Sequence, residues 1–87
     1  MEDVRMSIVR VSEATISDGK GGETVVRPGD QVWLSPEADT KFMHEYCAGE
    51  EPYTISWIGR WPCGGVNIYL VDGIGIRKSI FQSSPRG

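Results

Sequence analysis

Turn-forming residues divide this chain into short segments, and this punctuation constrains its fold more than any other feature. Glycine and proline concentrate at Asp18–Gly22, Arg27–Asp30, Trp61–Gly65 and Asp72-Gly73. Such clusters are typical of tight turns and hairpin loops. Most of the segments between them are rich in β-branched residues and too short for a long helix. The sequence therefore predicts a single, mostly β domain covering residues 1–87, with flexible ends at 1–7 and 83–87.

Alternation of apolar and polar side chains is clearest in the last third of the chain. Residues 66–71 form the clearest predicted strand, in which Asn67 and Tyr69 are expected to face outward. After the turn, residues 74–81 continue the alternation, in which Phe81 falls in the same set as Gly75, Arg77 and Ser79. Together with a long strand before residue 61, these segments predict a three-stranded meander.

Two other predicted strands carry a break in their alternation. In residues 8–16 the apolar positions change face near Ser12-Glu13, which predicts a bulge or twist there. In residues 53–61 the apolar residues up to Trp57 share one face, and Ile58 then breaks the pattern. We expect this long strand to bend at that point.

One helix is expected, over residues 36–47. Ser35 is a good N-cap, and Pro36 suits the first helical position. Apolar residues within this segment recur at helical spacing and form one stripe. Gly49 is suited to a C-terminal cap. The helix would cover an open end of the sheet.

Overall charge and composition limit the function classes. The formal net charge is −3, which argues against a domain that neutralises many phosphates. No apolar run has the length of about 20 residues that spans a bilayer, and the acidic start does not resemble a signal peptide. We therefore expect a cytoplasmic location, where Cys47 and Cys63 would be reduced thiols.

From Pro28 onward, the order of predicted elements is similar to that of a known superfamily. Gly29-Asp30-Gln31-Val32 resembles the Gly-Asp-x-Val opening of many SH3-like barrels, including KOW and Tudor types. Residues 80–85 resemble the strand and 3₁₀ turn that close such barrels. The resemblance implies a five-stranded antiparallel SH3-like barrel. Residues 8–27 would add an N-terminal hairpin, and the helix at 36–47 would replace a loop.

Aromatic residues supply the main candidate site. SH3-like folds commonly bind ligands on exposed aromatic side chains between loops. Trp61 is the best candidate because it lies at a hairpin tip, where side chains are seldom buried. Trp33 and Tyr69 are also expected to face away from the core. In the alternative interpretation Tyr53 and Trp57 belong to the core, and Trp33 packs under the helix or the N-terminal hairpin.

The favoured hypothesis is a small non-enzymatic binding module that acts through a protein partner or self-association. A short acidic chain of this kind would also suit an accessory protein of a mobile element. We predict no catalytic residue, no metal and no cofactor. The candidate partner-binding residues are Trp33, Arg60, Trp61, Asn67, Tyr69 and Arg77.

Two alternatives stay open at this point. The first is nucleic-acid binding through aromatic and basic residues. The second is remote: Val66-Asn67-Ile68-Tyr69 is similar to the Val-Gln-Ile-Tyr strand of type II dihydrofolate reductases, which build one active pore from four SH3-like chains. That resemblance implies a small-molecule-binding or oxidoreductase oligomer, with Asn67 in place of Gln. The residues of the nucleic-acid hypothesis are Arg60, Trp61, Tyr69, Arg77 and Lys78.

His44, Cys47 and Cys63 are the residues that could suggest metal or thiol chemistry. His44 and Cys47 are three positions apart on the predicted helix. The chain has no Cys-x-x-Cys pair, so this set is a poor match to a zinc site. We interpret Cys47 as a core residue and Cys63 as a loop thiol.

Overall fold

The computed structural model of the chain describes residues 7–38, 51–70 and 75–85. Over these residues the structure is mostly β, which confirms the mostly β character of the predicted fold. Short 3₁₀ helices occupy Pro36–Ala38 and Lys78–Ile80. The strands are β1 (Val9–Val11), β2 (Ala14–Ser17), β3 (Glu23–Val26), β4 (Gln31–Leu34), β5 (Tyr53–Arg60), β6 (Val66–Leu70), β7 (Gly75–Arg77) and β8 (Phe81–Gln82).

Across the described residues these strands form one sheet in the order β3-β2-β8-β4-β5-β6-β7, and β1 pairs with β5. The pairs are antiparallel except β2 with β8, which are parallel and meet at Ser17 and Gln82. One edge of β5 pairs with β4 at Tyr53 and Thr54, and with β1 at residues 58–60. Its other edge pairs with β6. Strand pairing therefore leads from β5 through β4 and β8 to β2 and β3, while β1, which precedes β2 in the chain, pairs with β5 alone.

A single apolar core joins the two halves of the chain. Ile16 and Val26 from the N-terminal hairpin (β2 and β3) belong to the same cluster as Ile68 and Ile76 of the meander. Burying one such side chain stabilises the fold by roughly 1.5–3 kcal/mol. The largest fully buried side chains are Phe81, Leu34, Ile55, Ile58, Ile68 and Val32.

The turn before β4 fixes how that strand meets β5. Gly29 has a φ of 97°, a left-handed conformation that favours glycine. The Asp30 carboxylate accepts the Arg27 backbone N–H at 2.9 Å, and the Asp30 N–H donates to the Arg27 carbonyl at 3.0 Å. The Gly29 N–H donates to the carbonyl of Ile55 at 2.8 Å, and the Ile55 N–H donates to the carbonyl of Asp30 at 2.9 Å. The Gly-Asp pair thus stabilises the turn and anchors it to the long strand.

The predicted irregularity near Ser12-Glu13 is present. It separates β1, which pairs with β5, from β2, which pairs with β3 and β8. Val11 packs against the core from β1, and Ile16 is buried from β2. Because of this break, residues 9–17 pair with β5 at one end and with β3 and β8 at the other.

Trp57 corrects the predicted faces of the long strand. The register with β6 shifts between Ile55 and Trp57, so Ser56 is an extra residue in β5. Ile58 is fully buried, whereas Trp57 is half-buried on the outer face of the sheet. Tyr53 is buried, as the core interpretation expected. The alternation therefore breaks one residue earlier than predicted, and it is Trp57 that leaves the core face.

Phe81 corrects the prediction for the end of the chain. The predicted strand over residues 74–81 ends at Arg77, and a 3₁₀ helix follows before β8 begins. This helix interrupts the period of two, so Phe81 turns inward and is fully buried. The Ser35 N–H donates to the Ile80 carbonyl at 2.8 Å and holds this end against β4.

The helix predicted over residues 36–47 can be followed only at its start. Pro36–Ala38 forms a 3₁₀ helix, and Ala38 is buried. The remainder of the prediction, including His44 and Cys47, lies outside the described residues. None of the described residues belongs to a helix long and apolar enough to cross a bilayer.

Candidate functional site

The outer face of β5, β6 and β7 carries several of the sequence-predicted site residues. Asn67 lies opposite Gly59 on one side and Arg77 on the other. Tyr69 lies opposite Trp57 of β5 on one side and Gly75 of β7 on the other. Because side chains on directly opposed strand positions share a face, these rows lie side by side on one surface. Their inner-face neighbours, such as Ile68, are buried in the core.

Tyr69 is part of a stack that sequence reasoning did not predict. Its ring lies 3.9 Å from that of Trp57, with an angle of 6° between the planes. The Arg10 guanidinium lies 4.5 Å from the centroid of the Trp57 ring, in cation–π geometry. A Cβ atom at Gly75 would overlap the Tyr69 ring, so the ring occupies space that this glycine leaves open. One face of Tyr69 is therefore used within the fold.

Trp61 lies in a hairpin loop whose backbone is held from both sides. The Trp61 N–H donates to the Gly65 carbonyl, and the Gly64 N–H donates to the Trp61 carbonyl, each at 2.8 Å. Gly64 has a φ of 103°, which requires glycine at this position of the turn. The loop therefore presents a half-buried Trp61 on a fixed backbone at the end of β5.

A groove of about 550 Å³ lies between this hairpin loop and the point where β7 passes directly into the second 3₁₀ helix. Trp61 and Asn67 line one side of it, and Arg77 and Lys78 line the other. Arg77 is exposed, whereas Asn67 is half-buried. Three of the predicted partner-binding residues therefore meet in this groove.

Trp61 also borders a second, smaller groove of about 230 Å³. Arg60, Pro62 and Val9 contribute to its wall. Arg60 pairs with Val9 and Val66, one strand position away from Asn67, and therefore points to the opposite face of the sheet. Trp61 thus separates two grooves, and each contains an arginine. We call the residues Arg60, Trp61, Asn67, Arg77 and Lys78 the Trp61 surface.

Positive charge predominates on the Trp61 surface. No carboxylate of the described residues lines either groove. Lys78 is partly engaged, because its ammonium donates to the Thr15 carbonyl at 2.7 Å. The described carboxylates lie between residues 13 and 51, in or next to the N-terminal hairpin and in segments on either side of β4: Glu13, Asp18, Glu23, Asp30, Glu37 and Glu51.

Several of these carboxylates already have local partners. Glu13 forms a 3.0 Å ion pair with Arg27 across the exposed surface. The backbone N–H groups of Lys20 and Gly22 donate to the Asp18 carboxylate at 2.7 and 3.0 Å, and they lower the pKa of Asp18 below its ordinary value. Turn chemistry therefore accounts for Asp18, as it does for Asp30.

Trp33 lies apart from the Trp61 surface. It is half-buried in β4 and borders a groove of about 340 Å³ together with Thr24 and Val25 of β3. This position beside the N-terminal hairpin agrees with the packing alternative for Trp33. The structure therefore does not bring Trp33 together with the other predicted residues.

Of the three residues considered for metal or thiol chemistry, the structure describes Cys63. Cys63 is exposed in the hairpin loop and lines the larger groove. In the part of the chain that the structure describes, His, Cys, Asp and Glu side chains form no cluster suited to a metal ion. Comparison with protein-family models, curated proteins and solved structures finds no match to this chain.

Proposed function

We propose that this chain is a non-enzymatic binding module with an SH3-like layout, and that the Trp61 surface binds a protein partner, a second copy included. The observation that carries this proposal is the convergence of Trp61, Asn67 and Arg77 on one open groove. Tryptophan and arginine are enriched among the residues that dominate protein interfaces. The proposal places the module in the cytoplasm.

The strand order supports the SH3-like layout. The strands β4, β5, β6 and β7 pair consecutively and antiparallel, and β8 returns to β4 after a 3₁₀ helix. The Gly29-Asp30 turn joins the first of these strands to the long, bulged second one. The N-terminal hairpin is an addition to this layout, and the helix over residues 36–47 is part of the proposal.

The number of available cations favours a protein over a nucleic acid. Strongly salt-dependent nucleic-acid binders neutralise on the order of 6–10 phosphates. The Trp61 surface contains three cationic side chains, Arg60, Arg77 and Lys78, and the last already contacts Thr15. Arg10 is stacked on Trp57. In a chain of net charge −3, these groups suit a short acidic stretch better than a long polyanion.

Site-specific photo-crosslinking in cells that naturally express the chain would test this proposal. A photoreactive phenylalanine replaces Cys63, which is exposed within the groove. The matched control carries the same residue at Val25, which is 42% exposed and lies beside Trp33. We expect light-dependent protein adducts from position 63, and their loss when Trp61→Ala is added.

The mass of the adduct separates the possible partners. An adduct of twice the chain mass would identify self-association, and a heavier or lighter one would identify another protein. Adducts that form only from position 25 would overturn the choice of surface. Adducts that disappear on nuclease treatment would overturn the choice of a protein partner.

A further inference from the structure

The Trp61 surface combines an aromatic ring with cationic side chains, and this combination restricts the chemistry of its partner. Trp61 lines two grooves, one on each face of the sheet, so a segment bound in both would pass around the Trp61 side chain at the end of β5. Arg60 lines the smaller groove, and Arg77 lines the larger one. Both arginines are exposed. An extended chain that crosses Trp61 would therefore meet a cation before and after the aromatic ring.

The surroundings of the ring select against a basic or fully apolar segment. The described lining of the two grooves contains Arg60, Arg77 and Lys78 and no carboxylate, so a basic side chain would meet like charge there. Guanidinium groups bind carboxylates in a bidentate manner, which gives direction as well as attraction. The half-buried Asn67 amide adds a hydrogen-bonding group to the groove that Trp61 and Arg77 line.

We propose that the Trp61 surface recognises an extended acidic segment of a partner protein, in which an apolar residue packs on Trp61 and carboxylates on either side contact Arg60 and Arg77. This inference rests on the proposed function and specifies its ligand. The loop backbone at Gly64 and Gly65 carries no side chains, which leaves space for an extended main chain beside the ring.

Selection of random peptides displayed on phage against the full chain would test the inference. We expect enriched peptides with Asp or Glu on both sides of an apolar residue. Their affinity, measured by fluorescence anisotropy of the labelled peptide, should fall roughly tenfold in Arg77→Glu and in Arg60→Glu, since an attraction becomes a repulsion. Lys20→Glu is the matched control, because it changes net charge equally but lies on an exposed turn outside both grooves.

The outcomes separate this inference from the broader proposal. Neutral or basic peptides that require Trp61 would overturn the acidic specificity and leave the protein-binding module standing. Peptides that bind equally to Trp61→Ala would overturn both. Equal losses in Lys20→Glu and Arg77→Glu would show attraction to overall charge and not to this surface. Tighter binding of a labelled deoxythymidine oligonucleotide than of any selected peptide would assign the surface to single-stranded nucleic acid.

Discussion

The meander of β5, β6 and β7 and the hairpin of β2 and β3 use their surfaces differently. The meander places aromatic and cationic side chains on its outer face and next to its hairpin loop. The hairpin carries Glu13, Asp18 and Glu23, and its tight turn is closed by its own backbone and by Asp18. The meander thus holds the candidate site, whereas the hairpin contributes two strands to the sheet and buried side chains to the core.

The two regions also differ in how they join the rest of the fold. The meander forms continuous antiparallel pairs from β4 to β7. The hairpin reaches the sheet by one parallel bridge and by three hydrogen bonds, in which the Ser83 N–H, the Ser84 hydroxyl and the Lys78 ammonium donate to carbonyls of residues 15–18. Local pairing therefore builds the meander, while contacts distant in sequence dock the hairpin.

Phe81→Ala should have the largest effect, because Phe81 is the fully buried residue of the strand that joins both regions. Truncation of a buried phenylalanine costs about 3–5 kcal/mol, a large fraction of the stability of a small domain. Urea unfolding followed by circular dichroism would measure the loss. Val25→Ala, on the exposed side of the hairpin, should change the free energy of unfolding by less than about 0.5 kcal/mol. Similar losses in the two variants would contradict the assigned core.

Gly75→Ala should have the next largest effect and should act on the meander alone. The new methyl group overlaps the Tyr69 ring, so the ring must move away from Trp57. We expect a loss of about 1–3 kcal/mol, typical of overpacking, and a changed near-ultraviolet circular dichroism spectrum of the stacked rings. Gly65→Ala is the control, because its Cβ would have ordinary space beside Cys63. An unchanged spectrum in Gly75→Ala would contradict the stacked arrangement.

Lys78→Met tests how the hairpin is docked. The ammonium of Lys78 donates to the Thr15 carbonyl across 63 positions of sequence, and its loss removes one hydrogen bond between the two regions. We expect a destabilisation of about 1 kcal/mol, the usual net contribution of such a bond. The measurement is hydrogen exchange of β2 amides, which should become faster. Arg77→Met, with an exposed side chain, should leave those amides unchanged; a like effect in both variants would argue against this docking contact.

The contrast between the regions also explains what the sequence could predict. Alternation over residues 66–70 identified β6, Asn67 and Tyr69, because a local pattern determines which face a side chain occupies. The predicted face of Trp57 was wrong because Ser56 is an extra residue in β5, which shifts the alternation by one position. The amino-acid composition at that position does not indicate a bulge. The predicted face of Phe81 was wrong because a 3₁₀ helix takes the place of part of the expected strand.

The candidate site was predicted in part for the same reasons. Trp61 and Arg77 were selected from local signals, a hairpin tip and an outward strand position, and they line one groove. Arg10 was missed because its position over Trp57 depends on the pairing of β1 with β5, which the sequence does not reveal. Trp33 was separated from the others by the placement of the hairpin. Long-range strand pairing, and not residue type, therefore limited the prediction.

Asp18 gives the smallest expected effect and tests the hairpin turn by pH. The backbone N–H groups of Lys20 and Gly22 favour the carboxylate and hold the Asp18 pKa below its ordinary value of 3.8. A lowered folded-state pKa means that the stabilisation is complete above pH 3.8 and is lost as pH falls through the folded value. The urea midpoint of Asp18→Ala should therefore lie slightly below that of the natural chain at neutral pH and converge with it in acid. Asp18→Asn keeps an acceptor oxygen without the charge, so its midpoint should lie between the two and lack this pH dependence. A difference between Asp18→Ala and the natural chain that persists unchanged in strong acid would show that the turn does not depend on the carboxylate charge.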